Sequence, residues 1–84
     1  MKINRSLAIS DNGFIFNPNT GDSFSVNDLG LTILQQIREG HTKSEIVNHL
    51  LDTYQVEKAV VEKDMDEFLK MARTHQLVTF TDEA

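Results

Sequence analysis

The side chains able to do chemistry are few and scattered. Three histidines, His41, His49 and His75, are the groups best suited to acid–base work or metal ligation, because imidazole titrates near neutral pH without special surroundings. The spacing assigns them to different places: His41 before a helix cap, His49 on the side of that helix away from Ile46 and Leu50, and His75 at the end of the next helix. No partner stands at ligand spacing from any of them, and a metal site needs three or four ligands with a supporting shell. The chain has no cysteine, so no thiolate site or disulfide can be built. Ser6, Ser10, Ser23, Ser25 and Ser44 lack both a nucleophile-elbow context and a neighbouring base. The four glycines form no phosphate-cradling pattern. No catalytic residue, metal or cofactor is therefore expected, and the function is sought in binding.

The carboxylates Glu62, Asp64, Asp66 and Glu67 cluster with Lys58, Lys63, Lys70 and Arg73. On a helix most of these read as a solvated face, with Glu67–Lys63 and Asp66–Lys70 attractions offsetting a Glu62–Asp66 repulsion. Asp64 differs. At about 100° per residue it falls between Val61, Phe68 and Met71, inside the apolar sector, where an acid either partners a buried donor or sits at the rim of a groove. That sector holds Val60, Val61, Met65, Phe68, Leu69, Met71 and Ala72, close to half the circumference, whereas one packed core needs a stripe somewhat over ~100° wide. Either the helix touches both a sheet and other helices, or one margin is an open groove with Met65 and Met71 as adaptable lining.

The elements that must position these residues follow from the change of period along the chain. Leu7 to Ile9 and Phe14 to Asn17 read as strands joined by an Asn-Gly type turn at Asp11-Asn12-Gly13. Asn17 to Asp22, with Pro18 and Gly21, is a second turn, and Ser23-Phe24-Ser25-Val26 alternates as a third, half-buried strand. From Asn27, an N-cap, Leu29, Ile33, Leu34 and Ile37 recur at helical spacing up to Gly40, a helix-stopping position. Gly30 weakens that helix by about 1 kcal/mol relative to alanine and permits close packing. Thr42 and Glu45 have capping-box spacing, ahead of a helix burying Ile46, Leu50, Leu51 and Tyr54. A third helix spans Glu57 to His75, with Gln76 where a glycine is expected, and Leu77 to Phe80 reads as an extended apolar tail. The fold class is α+β: a three-stranded antiparallel meander followed by three helices, in one domain spanning residues 1–84, with 79–84 expected to fray.

The strand Ser23–Val26 ends its meander, carries no lysine or proline to blunt it, and would dock an added strand if it lies at an edge. The net charge of −5, from 13 acidic and 8 basic residues, is a poor match for phosphate, so no nucleic acid is expected as a partner. Nothing approaches a bilayer span or a signal peptide, so a cytoplasmic protein with no membrane partner is expected.

The ordered series Gly13-Phe14-Ile15-Phe16-Asn17-Pro18, Thr20-Gly21-Asp22-Ser23-Phe24, Val26-Asn27, Gly40-His41-Thr42, Glu45-Ile46, Asp64, Phe68-Leu69 and Leu77-Val78 resembles the PqqD family from about Leu7 to Val78. The departures are Gln76 in place of the usual glycine and a missing acidic-proline opening before the third helix. The resemblance implies a winged-helix-like domain that binds the leader segment of a ribosomally made precursor peptide and presents it to a modifying enzyme, often a radical-SAM enzyme. In that family the leader adds a strand to the third strand and lies against the third helix. By position this implies Phe24, Ser25 and Val26 at the edge, beside Ser23 of the same strand, and Val61, Asp64, Met65, Phe68 and Met71 in the groove. A monomer or weak dimer is expected. The competing readings are a DNA-binding winged helix, opposed by the five acids of Glu57–His75, and a structural interaction domain with a flat apolar face.

Overall fold

Alternating apolar residues give way to a helical period at Asn27, and the computed structural model, which describes residues 1–79, follows that switch. The strands β1 (Lys2–Ile3), β2 (Ala8–Ile9), β3 (Phe14–Asn17) and β4 (Asp22–Ser25) precede the helices α1 (Asp28–Arg38), α2 (Lys43–Thr53) and α3 (Lys58–Thr74), and β5 (Val78–Thr79) follows. The expected α+β meander is present with strand order β2-β3-β4. Its third strand begins one residue earlier than the alternation indicated; Val26 remains attached, its N–H donating to the Gly13 carbonyl at 2.8 Å. Gly13 has φ 87°, and a Cβ there would stand 2.4 Å from that Val26 carbonyl oxygen, so the turn requires glycine twice over.

One pairing goes beyond the sequence reading. β1 lies antiparallel to β5, with Lys2 opposite Thr79 and Ile3 opposite Val78. Two-residue strands carry no readable alternation, so only the tertiary contact defines them. Thr79 is thus paired, while the rest of the tail expected to fray, residues 80–84, lies outside the described residues.

In the meander Ile15 faces Phe24, and Phe16 faces Ser23. Ile15 is fully buried, whereas Phe14 and Phe16 lie exposed on the opposite face, as the two-residue period of a strand requires. The helices close over the inner face. Ile33, Leu34, Ile46, Leu50, Met65 and Leu77 form a core with no exposed surface.

The starts of α1 and α2 and the end of α3 are held as their residues dictate, while Glu57 before α3 makes no side-chain cap. The Asn27 side chain accepts the Gly30 N–H at 2.9 Å. At α2 the Thr42 hydroxyl accepts the Glu45 N–H at 3.2 Å, and the Glu45 carboxylate accepts the Thr42 N–H at 2.8 Å. α3 ends in a left-handed turn built on Gln76, at φ 60°. There Leu77 N–H donates to the Ala72 carbonyl at 2.7 Å and Gln76 N–H to the Arg73 carbonyl at 3.1 Å, the pair of bonds of a Schellman motif. The missing glycine therefore leaves the motif intact and puts a side chain where left-handed backbone disfavours one. Asn17, buried at the meander turn, accepts the Asn19 N–H at 3.0 Å and extends its amide towards the His75 carbonyl at 3.5 Å.

Two stability predictions follow from these ends. Gln76→Gly should raise stability by about 0.5–1 kcal/mol, since glycine meets no steric penalty at positive φ, read as a Tm increase of about 2–8 °C for a domain of this size. The Thr42 backbone N–H, foremost, holds the Glu45 carboxyl below the usual carboxylate range, with the Thr42 hydroxyl and His41 adding to it. A depressed folded pKa stabilises above the unfolded value of about 4.3 and loses that contribution as pH falls through the folded one. Urea midpoints should show wild type ahead of Glu45→Gln near neutral pH, with the gap closing below about pH 4.

Candidate functional site

β4 is an edge strand. Antiparallel pairs alternate between residues that exchange hydrogen bonds and residues that do not. The Val26 N–H bond to Gly13 sets the phase: Val26 and Phe24 bond towards β3, so the N–H and C=O of Ser23 and Ser25 point away from the sheet. Their side chains lie exposed on the outer face, while Phe24 and Val26 are half-buried on the inner one, against the core.

α3 borders that inner face. The Phe24 ring meets the His75 ring with centroids 4.8 Å apart and planes at 58°, a tilted aromatic contact. At the other end of β4, Gly30 holds Val26 and Phe68 together: a Cβ on Gly30 would lie 2.7 Å from the Phe68 ring and 3.1 Å from the Val26 Cβ. Strand and helix thus run in opposite directions, with Phe24 beside the end of α3 and Val26 beside its middle.

The residues expected to line a groove divide. Phe68 and Met71 are half-buried at the margin facing β4, and Asp64 is exposed there. Val61 at 4 % exposure and Met65 at 0 % belong to the core. The wide apolar sector therefore serves both purposes, its centre packing inward and one margin remaining open. Met65 is not adaptable lining, because close packing on all sides removes the freedom that role needs. Asp64 has no partner among the described residues and stands at a rim. Asp66 pairs with Lys43 of α2 at 2.5 Å rather than with Lys70, since α2 brings an amine closer than its own helix does.

Residue reading missed part of the site. A hollow of about 300 Å³ beside Val26 is lined by Asn27, Leu29, Ile33, Asp64, Glu67 and Phe68. The residue pattern marks Asn27 only as a cap and Glu67 only as one member of a surface pair. His75, which its spacing places only at the end of the helix, shares the stripe of Asp64, Phe68 and Met71, and that stripe is the signal in the sequence for it. Among the described residues no group of three acids or histidines could hold a metal, and no helix is long and apolar enough to cross a membrane.

An open sheet edge beside a half-apolar helix margin defines a class of small α+β domain shaped to take an extended chain. Residues 13–78 match the family described as coenzyme PQQ synthesis protein D (PqqD), and the chain belongs to that family. Among solved structures it is similar to TbiB1 in complex with the TbiA(beta) leader peptide, at 28 % identity and a TM-score of 0.82, covering 98 % of this chain and 100 % of that one. It is also similar in fold to lasso peptide synthetase B1 complexed with the leader peptide, at 18 % identity and a TM-score of 0.81, covering 94 % and 96 %. None of the curated proteins compared matches it.

Gly30→Ala tests the closeness of the groove wall. Alanine gains about 1 kcal/mol of helix propensity, but its methyl must displace the Phe68 ring. The expected outcome is a Tm within a few degrees of wild type together with large chemical-shift changes at Phe68 and Val26. A wild-type-like spectrum would show that the wall does not depend on glycine.

Proposed function

We propose that this domain binds the leader segment of a ribosomally made precursor peptide as a fourth strand on β4 and presents it to a modifying enzyme, performing no chemistry itself. The observation that carries this reading is the outward backbone of Ser23 and Ser25 beside the Phe24, Val26, Phe68 and Met71 surface. Backbone bonds would supply affinity, and alternate side chains of the guest would be read by the helix margin. The likeness to TbiB1, which is solved with a leader peptide over a comparable length, supports the choice of ligand class. DNA binding has no such support: α3 exposes Glu62, Asp64, Asp66 and Glu67 among its four lysines and arginines, so it presents no predominantly cationic face to a groove of phosphates.

The test is a titration of the isotope-labelled domain with leader segments of precursor peptides encoded near its gene. Shifts are expected at Ser23, Ser25, Phe68 and Met71, with slowed amide exchange at Ser23 and Ser25. Ser25→Pro deletes one outward donor without touching the bonds to β3, so it should weaken binding by about 3- to 10-fold, as loss of one hydrogen bond does. Shifts confined to other surfaces would overturn the strand-addition reading.

A further inference from the structure

The charge around α3 is unevenly distributed. On the side of the helix facing Lys43 of α2, the cations Lys58, Lys70 and Arg73 line hollows together with Glu62 and Asp66, so both signs meet there, while the hollow beside Val26 is walled by Asp64 and Glu67 with no cation in its lining. Lys63 and Lys70 stand one turn before and after Glu67, and no ion pair joins either to it among the described residues. Asp28 adds a further exposed carboxylate at the start of α1. Leu29, Ile33 and Phe68 supply an apolar floor beneath the two acids.

Resting on the peptide-binding reading above, we infer that the guest strand carries a lysine or arginine at the position lying just past Val26, its stem on Leu29 and Phe68 and its charged head between Asp64 and Glu67. Long basic side chains bury their methylenes against apolar surface while keeping the charge in water, and this hollow offers both surfaces together.

One competing effect works against a cation. The start of α1 presents free N–H groups equivalent to about half a positive charge, which favours an anion. Asn27 already takes the Gly30 N–H, and Asp28 occupies the first turn, so that field is largely answered within the helix. Two whole carboxylate charges outweigh what remains, and the cation is favoured.

The test uses synthetic leader-segment peptides in which each position in turn is lysine, norleucine or glutamate, with affinity measured by fluorescence anisotropy against wild type and Asp64→Asn/Glu67→Gln. Both substituted residues are exposed, and an unchanged amide spectrum elsewhere would verify the fold of the variant. One position should prefer lysine over norleucine by about 5- to 10-fold, and that preference should vanish in the variant and in high salt. If peptides shift Ser23 and Ser25 but the lysine scan is flat, or the variant keeps the preference, the charge inference is overturned and the peptide-binding reading stands. If no peptide shifts those residues, both are overturned together.

Discussion

The end of α3 is the point on which the rest of the structure depends. Gln76 turns left-handed, and Leu77 N–H closes on the Ala72 carbonyl at 2.7 Å, sending the chain back as β5. Asn4 then holds that return from the other terminus, its N–H on the Leu77 carbonyl at 2.9 Å and its side chain on the Gln76 carbonyl at 3.2 Å. On the opposite side the Asn17 amide reaches the His75 carbonyl and the Phe24 ring rests on the His75 ring. Both sheets are therefore tied to one helix terminus. Ile15 in the shared core and Gly30 between Val26 and Phe68 add the other contacts that set the meander against the helices.

That distance is what makes a groove. The meander turn is held at the His75 end and Gly30 sets the approach at the Phe68 end, so β4 lies alongside the helix without being covered by it. A strand packed fully against α3 would lose its free edge, and a strand further away would offer backbone bonds with no side-chain surface beside them. Binding by strand addition needs both at once. The outer face, with Phe14 and Phe16 exposed, is not constrained in this way.

Much of this was legible in residue types and spacing. The starts of α1 and α2 could be read because the signal is local: Asn27 and Thr42 cap through bonds to residues three positions on, whereas Glu57 before α3 makes no side-chain cap. The meander was legible because its turns demand glycine, and the alternation of Ser23 to Val26 indicated a half-buried strand. The resemblance to PqqD proteins supplied the ligand class, which the residue pattern alone did not contain. The β1–β5 pair, the Asp66–Lys43 bridge and the tilted contact of Phe24 with His75 were not legible, since each joins residues distant in sequence.

The apolar sector of α3 shows where the division falls. The sequence by itself determined that the sector is too wide for a single core stripe and that Asp64 lies within it, because helical periodicity is a property of the chain alone. Only the tertiary structure decided that Val61 and Met65 face inward while Phe68, Met71 and Asp64 border β4. Which part of a helix face is covered depends on the elements packed against it, and here those are brought together by contacts at the two ends of the groove, Asn17 and Phe24 with His75 and Gly30 with Phe68.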